Sequence, residues 1–196
     1  MRVHVIGGPG TGKTTAGSAI ADSLGVPLVE LDRAMAYRPP PGSAPAPLAS
    51  WERVSWDDRV IAAAALAEEP AWVSEGIYAG WTEPLVARAD VVIWLDLPGW
   101  RAAGGVVQRQ RDRVRLGDPD RYRWGDTLRL ARRAAIGYRF GRTASSADLM
   151  AFDRANSAAT TAAFLAPHAD RVIHCRTRTS ARRATDALTS GRSTAN

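Results

Sequence analysis

Residues 7–14 read GGPGTGKT, so Gly7, Gly12, Lys13 and Thr14 satisfy the spacing G-x-x-x-x-G-K-[ST]. By average composition this pattern arises by chance in about one chain of this length in a hundred. Each residue type has a physical reason to be there. Glycines let successive backbone N–H groups curve round an oxyanion. A helix beginning at the end of the loop turns its positive end toward the same anion. Lysine adds a compact cation, and threonine a hydroxyl for a divalent metal. Gly7, Gly8, Pro9, Gly10, Thr11, Gly12, Lys13, Thr14 and Thr15 are therefore the expected phosphate-binding set, with Thr14 the expected metal ligand.

The flanks give the motif its context. Residues 2–6 (RVHVI) read as a short buried strand, and Lys13 to Leu24 carries apolar residues at helical spacing before Gly25. Further strands are expected at 26–31, 71–74, 91–95 and 171–175. Helices are expected at 57–68, around 82–88, 100–116, 126–140, 146–165 and 180–189, with a turn at LGDPD (116–120). Strands alternating with helices imply right-handed crossovers, hence an α/β fold with a five-stranded parallel sheet flanked by helices. The expected order of those strands is 2-3-1-4-5. Residues 38–50 (RPPPGSAPAPLAS) are too rich in proline for a helix or central strand and read as a mobile loop.

With 196 residues, 45% of them hydrophobic, the chain has enough apolar material for one core without disulfides or a structural metal. One cysteine, Cys175, excludes a disulfide framework, and no CxxC or HxxxH spacing suggests zinc. No apolar run approaches the roughly 18–20 residues that span a bilayer. No secretion signal is seen, so the cytoplasm is the expected compartment. The net charge of +6 is uneven: residues 99–143 hold twelve arginines and four aspartates, leaving the rest of the chain at −2. The positive charge reads as a local anion-handling element. Only Lys13 of the 26 basic residues is lysine. Codon bias explains the arginines, but not why the single lysine falls where the motif demands one.

Other residues point to a reaction beside the loop. Asp32 closes the second strand in VELDR, at a carboxyl end that faces the ligand crevice. It could take a hydroxyl proton or orient Mg²⁺ through water; it could also cap the next turn. Glu75, in WVSEG, could be a Mg²⁺ second-sphere group, a substrate contact or a loop carboxylate. Asp96, before Pro98, reads as a turn cap. Arg109 and Arg113 are an i, i+4 pair able to point together at a polyphosphate, and Arg121 and Arg123 could reach back from a lid. Trp51, Trp56, Tyr78 and Trp81 surround the acceptor side, where aromatics pack more often than they stack on ligands. His174 and Cys175 read as core residues.

GGPGTGKTT, LDRAMAYRP, WVSEGIYAGW and ADVVIWLDLPGW, followed by an arginine-rich stretch, together resemble the adenylate-kinase-like P-loop kinases. The nearest likeness is to the bacterial DNA topology modulation (FlaR-related) proteins, over roughly residues 1–140. The resemblance implies a single domain over 1–196, with an acceptor-binding insertion at about 33–70, an Arg-rich lid at about 109–143 and a frayed tail at 190–196. It implies ATP and Mg²⁺ at Lys13, Thr14 and Arg109, with Asp32, Arg33, Glu75 and Tyr78 on the acceptor side. The segment after the third strand, Glu75-Gly76-Ile77-Tyr78-Ala79, departs from the D-G-x-P-R of nucleoside monophosphate kinases.

The expected activity is phosphoryl transfer from Mg·ATP to a small hydroxyl-bearing metabolite or a nucleotide. Lys13, Asp32, Arg109 and Arg113 are the expected catalytic residues. The alternatives are a nucleotide-dependent regulatory protein contacting nucleic acid through the basic segment, and a weak ATPase with water as acceptor.

Overall fold

A computed structural model describes residues 1–40, 50–118 and 123–190. Strand β1 (Arg2–Gly7) runs into the glycine-rich loop and then helix α1 (Lys13–Leu24). Gly25, at φ +67°, stops α1 and turns the chain into β2 (Leu28–Glu30). A π-helical turn, Asp32–Ala36, follows directly, then β3 (Tyr37–Arg38), β4 (Glu52–Arg53), α2 (Trp56–Glu68), β5 (Trp72–Gly76), α3 (Glu83–Arg88) and β6 (Val91–Leu95). The remainder is mostly helical: α4 (Gly99–Arg115), α5 (Trp124–Arg132) continuing as a π-helical turn Arg133–Tyr138, α6 (Ser146–Ala151), α7 (Ala158–Leu165), β7 (Val172–Cys175) and α8 (Arg178–Ser190).

The main sheet is parallel, in the order β2-β5-β1-β6-β7. These are the five strands expected from sequence, in the expected order. Side-chain alternation divides the core between two faces. Val3 and Val5 of β1, with Ile93 and Leu95 of β6, pack against Ile20 and Leu24 of α1 and Ala184 of α8. Ile6 of β1, with Val92 and Trp94 of β6, packs against Ala63 of α2, Leu85 of α3 and Leu165 of α7. The same alternation turns Glu75 of β5 toward α1 and Ser74 away from it.

Two expectations change. The helix expected over 146–165 is two helices. Asp148 and Ser145 form a reciprocal cap at the start of α6, and Ser157 caps α7 by accepting from the Thr160 N–H at 3.1 Å. The chain between them, including a short 3₁₀ turn at Asp153–Ala155, leaves the helical path. Two short strands that were not expected flank the proline-rich stretch: β3 pairs antiparallel with β4, matching Tyr37 to Arg53. The rest of the proline-rich stretch, 41–49, lies outside the described residues, as do Arg121 and tail residues 191–196. Among the described residues, no helix is long and apolar enough to cross a membrane.

Candidate active site

The loop between β1 and α1 has the curvature its glycines permit. Gly10 and Gly12 adopt φ +73° and +93°, and a Cβ on Gly12 would meet nothing within 4 Å. Lys13 Nζ donates to the Gly8 carbonyl at 3.1 Å and lies 4.0 Å from Glu75 Oε2. Burial lowers the Lys13 pKa from its ordinary value; Glu75 and Asp32 oppose the shift, and Arg109 adds to it. The Thr14 hydroxyl donates to Glu75 Oε1 at 2.8 Å. A hydroxyl and a buried carboxylate beside an open glycine cradle are hard oxygen donors, which fits a Mg²⁺ that takes its other ligands from phosphate and water. Glu75 therefore sits with the phosphate loop, and not among the cavity-lining residues of the acceptor side.

A cavity of about 330 Å³ opens beside the loop, with Lys13, Pro9 and Arg109 among its lining residues. The π-helical turn after β2 delivers Asp32 into it. Tyr78 lines it too, but the Tyr78 side chain is buried and its hydroxyl donates to Asp32 Oδ1 at 2.5 Å. Burial, with the Asp32 charge, drives the Tyr78 phenol well above its usual pKa, so it stays protonated as a donor. Tyr78 thus orients Asp32, and leaves Oδ2 for another partner. Trp51 lines the cavity. Trp81 is buried beside Tyr78, with ring centroids 4.9 Å apart, and Trp56 packs over Gly80.

Sequence reasoning missed Tyr37, Asp153 and Arg133, which line the cavity, and Arg53 and Arg59, which hold Asp153 without lining it. Asp153, from the break between α6 and α7, accepts from the Tyr37 hydroxyl at 2.7 Å, Arg59 Nη1 at 2.9 Å and Arg53 Nε at 3.1 Å. Arg59, in α2, is fully buried; its Nη2 donates to the Ala36 carbonyl, and its guanidinium lies 5.8 Å from both the Tyr37 and Trp81 rings. Burial pushes the Asp153 carboxyl up, yet Tyr37, Arg59 and Arg53 outweigh it and hold the pKa below the ordinary value. Arg133, at the start of the second π-helical turn, donates to the Asp153 main-chain carbonyl at 2.9 Å and faces the cavity. In a chain with 25 arginines, composition does not single out Arg53, Arg59 or Arg133. The one usable signal is the cap residue Ser157, which starts a new helix shortly after Asp153.

Other expected residues are placed less centrally. Arg109 lines both the acceptor cavity and a second groove of about 590 Å³. That groove runs between Gly12 and Thr15, Gln108 of α4, and Arg178 and Arg182 of α8. Arg113 lines neither; it lies 3.5 Å from Asp118 and borders a small recess. Arg109 shares that recess, which also touches Pro9 and Gly10 of the loop, so the pair meets there and not in the acceptor cavity. Arg33 lies 4.0 Å from Glu30 and over the Trp51 ring, outside the lining residues. Arg123 is exposed, just before α5. Asp96 is not a turn cap: its carboxylate accepts from Arg139 Nη1 at 3.3 Å and meets His174 Nε2 at 3.1 Å. His174 stacks on Trp94 at 3.9 Å and is only half-buried, so it is not a plain core residue.

A five-stranded parallel sheet with a glycine-rich loop, lysine and threonine between its central strand and first helix is a P-loop-kinase-like α/β fold. The family model described as "ATPase family associated with various cellular activities (AAA)" matches residues 3–49. The chain is similar to a shikimate kinase from Acinetobacter baumannii, solved with shikimate, at 14% identity and TM-score 0.43, covering 98% of this chain and 96% of that one. It is also similar to a gluconokinase from Sinorhizobium meliloti at 19% identity and TM-score 0.38, covering 86% and 96%. No curated protein matches the chain.

Proposed function

We propose that the chain is a small-molecule kinase that transfers the γ-phosphoryl group of ATP to an acceptor hydroxyl. The observation carrying this reading is that Lys13 and Asp32 line the same cavity. A phosphate cradle and a carboxylate with one free oxygen then bracket a single reacting centre. ATP would lie with its phosphates on the loop and its base in the groove between α4 and α8, where Arg109 spans both compartments.

The acceptor oxygen bonds to the γ-phosphorus as the bond to the β,γ-bridging oxygen breaks, and ADP leaves. The hydroxyl proton passes to Asp32 Oδ2. Lys13 and Arg109 stabilise the charge spread over the transferring group. Thr14 and Glu75 would hold Mg²⁺, which neutralises charge on the β- and γ-phosphates when bound. Residues 109–143 act as the lid and 33–70 as the acceptor-binding insertion of one domain, in the cytoplasm. Within the P-loop kinases, the adenylate-kinase-like motifs and the FlaR-related likeness support this placement. The nucleic-acid reading is weaker, because Arg113, Arg129 and Arg139 of the basic segment lie against Asp118, Asp126 and Asp96.

The test is ADP release from Mg·ATP, alone and with panels of hydroxylated metabolites and nucleoside monophosphates. One acceptor class is expected to stimulate release strongly, and Lys13→Ala to abolish it. A fully active Lys13→Ala protein would overturn the reading.

A further inference from the structure

The acceptor end of the cavity carries a charge pattern that restricts what it admits. Asp153 is already matched by Arg53 and Arg59, at 3.1 and 2.9 Å. Arg133 has no such partner: its hydrogen bond goes to a main-chain carbonyl, and it forms no ion pair among the described residues. A guanidinium has five N–H donors in a planar fork, so Arg133 keeps donors beyond the one given to Asp153. It is also half-buried, and burial lowers its pKa despite nearby Tyr37, Tyr78, Asp153 and Asp32. A partly desolvated cation with carboxylates near it but none in direct contact is costly unless an anion joins it.

The charged residues lining the cavity, Lys13, Arg109 and Arg133 against Asp32 and Asp153, carry a charge of +1. One carboxylate on the acceptor brings this to zero. A phosphate monoester carries about −1.5 to −2 at neutral pH and overshoots it. Trp51, Ile77 and Leu130 add apolar wall to the same cavity, suited to a short carbon skeleton. At about 330 Å³, shared with the transferring phosphoryl group, the cavity is at the small end of ligand sites.

We infer that the acceptor is a compact hydroxyl-bearing monocarboxylate whose carboxylate is gripped by Arg133, with Asp153 excluding phosphorylated acceptors by occupying Arg53 and Arg59. This rests on the kinase reading. Arg133 is the specificity-determining residue, and a guanidinium fork suits the two carboxylate oxygens better than an ammonium would.

The experiment uses the full chain with Mg·ATP. Gluconate, quinate and glycerate are compared with sorbitol, quinate methyl ester and glycerol, and with AMP, CMP and UMP. A small-molecule extract of bacterial cells, fractionated on an anion exchanger, is assayed in parallel. Stimulation is expected from carboxylates or from retained fractions, resistant to phosphatase and abolished by methyl esterification. Arg133→Met is expected to raise the acceptor KM at least tenfold, well beyond any change in the KM for ATP, with Arg133→Lys intermediate. Circular dichroism of both variants checks the fold, and Arg133→Lys carries the test if Arg133→Met does not fold. Stimulation by neutral compounds, by nucleoside monophosphates or by a phosphatase-sensitive fraction would overturn the inference. So would an unchanged acceptor KM in the variants. If no compound or fraction stimulates release, the kinase reading itself falls, and this inference with it.

Discussion

The Tyr78 hydroxyl donates to Asp32 Oδ1 at 2.5 Å, tying a buried side chain from the loop after β5 to the carboxylate at the end of β2. Tyr78→Phe keeps the ring packing and removes only this donor. Asp32 then loses orientation, and kcat is expected to fall about tenfold, equivalent to about 1.4 kcal/mol. The KM for ATP should stay within about twofold. Steady-state kinetics with a pH profile checks this; a raised acceptor KM at unchanged kcat would show that Tyr78 contacts the acceptor instead.

Helix α4 rests directly on the phosphate loop. A Cβ on Gly105 would lie 2.2 Å from the Gly10 carbonyl oxygen, whereas one on Gly104 would meet nothing within 4 Å. Alanine favours a helix interior over glycine by about 1 kcal/mol. Gly104→Ala should therefore stabilise the protein slightly and leave ATP binding alone. Gly105→Ala should displace the loop and weaken ATP binding at least tenfold. Calorimetric titration with ATP and thermal melts of the two neighbouring variants separate propensity from collision.

Asp153→Ala leaves the fully buried Arg59 facing an empty site. Removing one partner of a buried ion pair costs about 3–5 kcal/mol, and urea unfolding should show a loss of that size. Arg59→Met combined with Asp153→Ala should recover part of it, because the uncompensated charge is gone. A double variant no better than Asp153→Ala would show that packing, not charge, is the cause.

His4 is fully buried on β1, its Nδ1 2.9 Å from Ser74 Oγ and its Nε2 without a partner. Burial lowers its pKa from 6.5 to about 4. The unfolded chain then binds more protons than the folded one between these values. Stability is full above about pH 6.5, declines as pH falls toward 4, and receives no further change from this group below that. The loss is on the order of 3 kcal/mol. Urea unfolding of wild type and His4→Gln across pH 7.5 to 4 should show a flatter profile for the variant.

The phosphate loop and the sheet were legible because their signals are local: a fixed spacing at residues 7–14, apolar strand runs, and Gly25 as a stop. Asp32 was legible because strand ends face the ligand crevice. The grouping round Asp153 was not. Arg59 and Asp153 are 94 positions apart, and no periodicity links them. Both π-helical turns were also invisible, since an extra residue per turn leaves no compositional mark, yet they deliver Asp32 and Arg133 to the cavity. Arg113 borders a recess beside the loop with Arg109 and not the acceptor cavity, since i, i+4 spacing puts two side chains on one face without saying how far along the helix a ligand extends.

The gathering of Tyr37, Arg53 and Arg59 onto one carboxylate constrains the descent of this chain as well as its folding. A lineage that altered Asp153 alone would strand a buried cation before any new acceptor could be favoured. Losing Arg59 first would leave the carboxylate poorly matched. New acceptor preferences are therefore reached most readily through Arg133 and the apolar wall, which can drift one substitution at a time, while the Asp153 assembly changes only in concert.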